Sequence, residues 1–155
     1  MKVRTGVSGC VLFIALLCMV VIPCQGKSND IPYRVANHYF VNNTIKKLPT
    51  AKVASQKEFD ALFGCAPVMG KDGAPTTINF SKEYVIAVSK PETYYSTALN
   101  PISLKRDKKK RIVFTYRETI GAKQSYSIVP CLLIIVSKKE QGKVLLKSVI
   151  SKTQR

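Results

Sequence analysis

FDALFGCAPVMGKDGAPTTINFSKEYVIAV, residues 59–88, changes character twice within thirty positions. It begins as the end of a short helix. Ser55 and Glu58 have the spacing of a capping box, in which the Ser55 hydroxyl accepts from the backbone N–H three residues on. Phe59, Leu62 and Phe63 then fall on one helical face, and Gly64 reads as a stop at C′. Two turns of helix are marginal alone, so the apolar face must rest on a sheet. Residues 64–77 carry Gly64, Pro67, Gly70, Gly73 and Pro75 without periodicity and read as a loop. Tyr84 to Val88 is a near-continuous apolar run, the pattern of a strand covered on both faces.

Working outward, Ile31 to Val41 is aromatic and β-branched and reads as an imperfect first strand, closed by a turn at Asn42-Asn43-Thr44. After Val88 come an extended segment from Tyr95 to Lys105, interrupted at Asn100-Pro101, and a charged hairpin tip at Asp107 to Lys110. Pro101 has no N–H for a ladder, which implies an edge or a bulge. Arg111 to Thr119 alternates Ile112, Phe114 and Tyr116 against Val113, Thr115 and Arg117, as a half-buried strand does. Gly121 to Gln124 reads as a turn. Tyr126 to Val136 is the most apolar strand, with Pro130 marking a bend, and Val144 to Ile150 closes the domain. About six short strands, with one short helix between the first two, predict a mainly β fold: a small antiparallel β-barrel of OB-like form over residues 31–152.

The chain opens with Lys2 and Arg4 ahead of the uncharged run Val11 to Ile22, which is shorter than the ~20 residues that span a bilayer. This is the form of an export leader over residues 1–24. Cleavage after Gly26 is one outcome. The other is lipidation at Cys24 as the first residue of a lipoprotein, although Pro23 is a poor fit where a small residue is usual. Residues 25–30 then form a polar tether. The sequence without residues 1–24 keeps 23 bases against 9 acids, net +14. Such a field favours anionic partners, while Lys-rich surfaces also keep β-proteins soluble and blunt sheet edges. Lysine far outnumbers arginine, which argues against bidentate phosphate recognition as the main purpose. The basic stretch Lys105 to Arg111 reads as a solvated turn, and no nucleic-acid partner is expected.

Cys65 and Cys131 alone remain in the domain. An even pair in an exported chain points to a disulfide, which would contribute ~4 kcal/mol in the chain-entropy model; two buried free thiols are the other reading. Catalytic equipment is sparse. His38 is the single histidine, no pair of carboxylates stands out, and neither phosphate-loop nor zinc spacing is present. A non-enzymatic chain without a cofactor or metal is expected. A cleft joining His38 to a free thiol would reopen that question.

The loop after the helix has the make-up of a contact surface. Cys65, if bonded to Cys131, would pin its root; after Ala66, Pro67 fixes φ, Val68 and Met69 offer apolar side chains, and Gly70 lets the chain turn away. Stiffness lowers the ordering cost of binding in a protease cleft. An irregular loop with Val68 and Met69 folded back on the helix is the plainer alternative.

The stretches FDALFGCAPVMGKDGAPTTINFSKEYVIAVSKPET and GAKQSYSIVPCLLIIV give the chain a general build that resembles the potempins of Bacteroidetes. The resemblance covers roughly residues 31–150 in overall pattern and loop–strand layout. It implies an outer-membrane or cell-surface lipoprotein with a compact OB-type barrel that inhibits a secreted protease; apart from the resemblance, a monomer is expected, periplasmic or secreted if it is not anchored. It transfers no inhibitory residue individually. A non-inhibitory envelope lipoprotein that holds an anionic polymer or an acidic protein through its basic surface is the second expectation.

Overall fold

The computed structural model describes residues 29–152; the leader, Cys24 and the first part of the tether lie outside them. The described chain is mainly β. In order it forms β1 (Tyr33–Ala36), β2 (Tyr39–Val41), β3 (Lys52–Val53), α1 (Gln56–Leu62), β4 (Phe63–Cys65), β5 (Glu83–Ser89), β6 (Thr93–Arg106), β7 (Ile112–Ile128), β8 (Cys131–Ser137) and β9 (Val144–Lys152). Three sheets result, with strand orders β1-β8-β5-β3, β2-β4 and β6-β7-β9. All pairings are antiparallel except β7 with β9, which run parallel.

The apolar runs place β5 and β8 at the centre. Successive side chains on a strand face opposite ways, so each strand feeds two cores. Tyr84, Ile86 and Val88 of β5 join Leu132, Ile134 and Val136 of β8 against Leu104, Ile112, Phe114 and Tyr116 of the long-stranded sheet. Their neighbours Val85, Ala87, Leu133 and Ile135 face the other way, onto Phe59 and Leu62 of α1 and onto Phe63, Val41 and Val53. The Phe59 ring is the hub of this second core. It stands edge-on to Tyr39 at 5.1 Å and lies 5.5 Å from Phe80. Burying such a ring contributes ~1.5–3 kcal/mol, more than seven residues of helix supply for themselves.

The helix starts where its caps put it. Ser55 Oγ accepts from Glu58 N at 3.3 Å, and Glu58 Oε2 accepts from Ala54 N at 3.2 Å, one residue earlier than the usual reciprocal bond. It ends differently from expectation. Phe63 is already extended, with φ −130° and ψ 140°, and Gly64 lies in β4 opposite Phe40. A Cβ on Gly64 would stand 2.4 Å from the Phe40 ring, so the glycine makes room for an aromatic ring and is not a left-handed stop.

Other boundaries also move. The helix falls between the third and fourth strands, because the expected first strand breaks at His38, whose φ of 65° turns the chain into another sheet, and because Lys52–Val53 adds β3 ahead of the helix. Gly121 to Gln124 is no turn: β7 runs through it and pairs Lys123 with Tyr95 across irregular register. Pro130 separates β7 from β8 instead of bending one strand. Pro101 lies in β6, at the edge of its sheet, with a register shift just after it, as its missing N–H requires.

The two larger sheets meet along one side, where Asp30 bridges Lys105, Ile31 N donates to Leu104 O at 2.8 Å and Arg106 N donates to Asn29 O at 2.7 Å. The end of the expected tether is therefore paired with β6. Across from this seam, β3 and β9 end their sheets, and no strand pairing joins them among the described residues.

Candidate binding loop and its surroundings

The loop between β4 and β5 is tied down at both roots by the chain corner at Asn37-His38. On one side Ala66 N donates to His38 O at 2.8 Å. On the other, Thr76 N donates to Asn37 O at 3.2 Å, Asn37 N donates to Thr76 Oγ1 at 3.0 Å, and the Tyr39 hydroxyl donates to Thr76 O at 2.8 Å. Burial, with the Cys65 and Asp60 side chains nearby, raises the Tyr39 phenol above its ordinary range, so it holds its proton and its donor role at any ordinary pH. Within the loop, Val68 N donates to Gly73 O at 3.0 Å and Gly73 N donates to Gly70 O at 3.2 Å. These bonds close a small turn with Met69 and Gly70 at its outer end. Gly70 has φ +123°, and a Cβ on Gly73 would sit 1.7 Å from the Val68 carbonyl oxygen. Both glycines are therefore dictated by backbone geometry.

The side chains of this turn face water. Met69 is fully exposed and Val68 is 57% exposed; Pro67 is exposed and Ala66 half-buried. They do not fold back on the helix.

Cys65 and Cys131 are free thiols, which corrects the expected disulfide. Both are neighbours of Tyr39: Cys65 is its partner across β2–β4, and Cys131 Sγ lies 3.7 Å from its carbonyl oxygen. They differ in surroundings, since Cys65 is exposed and Cys131 is half-buried beneath β2. Stiffness at the loop root comes from the hydrogen bonds to Asn37 and His38 instead. The sequence carries a trace of this anchor: Asn37-His38 is a polar pair inside an apolar run, and both residue types tolerate positive φ better than most.

Residues of β2 line two clefts. One, of about 500 Å³, is bounded by His38, Tyr39, Leu99, Pro101, Cys131 and Leu132. It does bring the single histidine and a free thiol to one place. The thiol, however, is in the wrong state for a nucleophile: burial pushes Cys131 up, only partly offset by a backbone hydrogen bond from Val41, whereas reactive cysteines have lowered values. The other cleft, about 430 Å³, has Phe40, Asn42, Asn43, Ser127 and Val129 around it, with Glu92 accepting from the Ser127 hydroxyl. Among the described residues no cluster of three or more His, Cys, Asp or Glu side chains has metal-binding geometry.

The chain matches no protein-family model, no curated protein and no solved structure.

Proposed function

We propose that this protein is an exported, lipid-anchored inhibitor that offers residues 65–70 to the substrate cleft of a secreted protease. The observation that carries the reading is a fully exposed Met69 on a turn whose two roots are hydrogen-bonded to one chain corner. An exposed apolar side chain on a pre-ordered loop binds with little backbone entropy left to lose. Cys65 and Ala66 set the root, Pro67 and Val68 lead into the turn, and Gly70 lets the chain reverse. The anchor is the acyl chain on Cys24, and the sheets around the Asp30–Lys105 seam act as a partly open barrel of OB type that presents the loop rigidly. The protein works as a monomer, needs no cofactor, and performs no catalysis of its own.

The test is direct. The protein is mixed at micromolar concentration with secreted metalloproteases and serine proteases, and residual activity is read against a peptide substrate. Inhibition that Met69→Asp weakens at least tenfold, with an unchanged melting temperature, is the expected result. No inhibition of either class, or inhibition indifferent to Met69→Asp, removes the proposal.

A further inference from the structure

The registers sort the molecule into two ends. At one, Glu83 pairs with Ser137, Arg106 with Ile112, Ile112 with Val144, and Asp30 with Lys105. At the other, Ser89 pairs with Cys131 and Thr93 with Ile128, near the His38 corner that holds the loop. The first end is strongly basic. Its four acids are each taken by a neighbouring base: Asp30 by Lys105 at 3.2 Å, Glu83 by Arg34 at 2.9 Å, Asp107 by Arg111 at 2.6 Å and Glu140 by Arg106 at 2.6 Å. Left over are Lys82, Lys108, Lys109, Lys110, Lys139 and Lys143, all exposed. They belong to one surface, because Arg106 Nη1 joins the two turns that carry most of them, donating to Lys110 O at 3.2 Å and Gln141 O at 2.6 Å, and Lys138 N donates to Lys82 O at 2.8 Å.

The chain also joins the domain at this end, since Asn29 O is bonded to Arg106 N at 2.7 Å. We infer that the lysine-rich end rests on an anionic lipid surface and thereby holds the 65–70 loop on the side facing away from the membrane. The lipid-anchor part of the proposal above is the basis for this orientation; its protease-inhibition part is not. Five residue steps separate Cys24 from Asn29, at most ~18 Å of chain. A Cys24 acyl anchor therefore keeps this end close to the headgroups, where each lysine contributes about fivefold to binding and the attraction decays over ~8 Å at physiological salt. An acyl chain by itself gives only reversible attachment and needs a second signal such as a basic patch. A soluble acidic polymer would not explain why the patch and the chain's attachment point coincide.

The experiment uses the full chain, purified as an exporting host processes it, and vesicles of phosphatidylcholine with or without phosphatidylglycerol. Lys108→Glu, Lys109→Glu and Lys139→Glu are combined in one variant. Lys71→Glu, Lys123→Glu and Lys152→Glu, with the same change in net charge, form the control. The first variant is expected to lose at least tenfold of its preference for the anionic vesicles and the control far less; equal losses overturn the inference. Tighter binding to soluble polyphosphate than to the anionic vesicles at equal phosphate and salt also overturns it. The chain has no tryptophan, so single Lys109→Trp and Met69→Trp variants report depth through headgroup-labelled quencher lipids. Quenching at position 109 and not at 69 is expected, and the reverse order refutes the orientation. Protease inhibition by the triple variant, measured without vesicles, is expected to stay unchanged, so loss of one proposal leaves the other readable.

Discussion

Cys65 and Cys131 differ in the property that decides thiol chemistry, access to water. Cys65 is exposed at the loop root, whereas Cys131 is half-buried and its thiol is held protonated by burial. Iodoacetamide applied to the folded protein, followed by peptide mass mapping, is therefore expected to label Cys65 about tenfold faster or more. Cys131 should react fully only after unfolding. If both resist until a reductant is added, the two sulfurs are bonded in solution and the free-thiol geometry is wrong. The loop glycines allow a second residue-level test. A methyl at position 73 collides with backbone, the Val68 carbonyl, while one at position 64 meets the tip of the exposed Phe40 ring, which can swing aside. Gly73→Ala is thus expected to open the turn and expose residues 66–77 to limited proteolysis, with the melting temperature little changed because neither core is touched. Gly64→Ala should leave the cleavage pattern as it was. Equal protection in both variants would mean that the turn does not depend on Gly73.

At the scale of elements, α1 depends on its cap and its aromatic face together. Ser55→Ala removes the acceptor for Glu58 N and is expected to cost ~1 kcal/mol, measured by denaturant unfolding; a change below about 0.3 kcal/mol would mean that packing alone holds the helix. The link between β1 and β5 is electrostatic and spans β8. Glu83 accepts from Asn79 N at 2.9 Å and from Arg34 Nη2 at 2.9 and 3.0 Å. The Asn79 backbone bond first, and the Arg34 guanidinium after it, outweigh partial burial and hold the Glu83 carboxyl below its ordinary value of 4.5. A lowered folded-state value means the unfolded chain takes up the proton first, so stability is present above about pH 4.5 and falls as pH drops through the lower folded value. Glu83→Gln should flatten that part of the acid limb, and an unaltered acid limb would place the link elsewhere. These elements were unequally legible in the sequence. Tyr84–Val88 and Leu132–Val136 stood out because strands covered on both faces have unbroken apolar runs, and Ser55–Glu58 because a cap is local. The break at His38, the extended Phe63 and the unbroken β7 were hidden, since each is decided by a partner far along the chain: the β4 strand, Val41 of β2 and Tyr95 of β6. The Gly and Pro content of residues 64–77 marked a loop but left open whether Val68 and Met69 face water or fold back on the helix, which the structure decides for water. The loop's anchoring to Asn37 and His38 left only the trace of a polar pair, because backbone hydrogen bonds leave almost no mark in side-chain pattern.

The whole molecule is organised around a shared wall. β5 and β8 supply both cores, so neither the helical layer nor the β6-β7-β9 sheet has an apolar wall that survives loss of the other. Unfolding is therefore expected to be a single event, although three sheets are present and one seam joins the larger two. Adjacent residues of one strand make the test clean: Val85 and Ile86 are both fully buried and face opposite cores. Ile86→Ala should cost ~2–5 kcal/mol and Val85→Ala somewhat less. Against a total stability of ~5–15 kcal/mol, either change is large. Native-state hydrogen exchange reads the layers separately, through the amides of α1 and β4 on one side and those of β7 on the other. If the wall is shared, each substitution lowers the opening free energy of both layers by the same amount. If the layers are independent, Val85→Ala loosens α1 and β4 while β7 keeps its protection, and Ile86→Ala does the converse. The second pattern would also detach the loop from the basic end, because the 65–70 turn hangs from the helical layer while the lysines of the 107–111 tip belong to the other sheet.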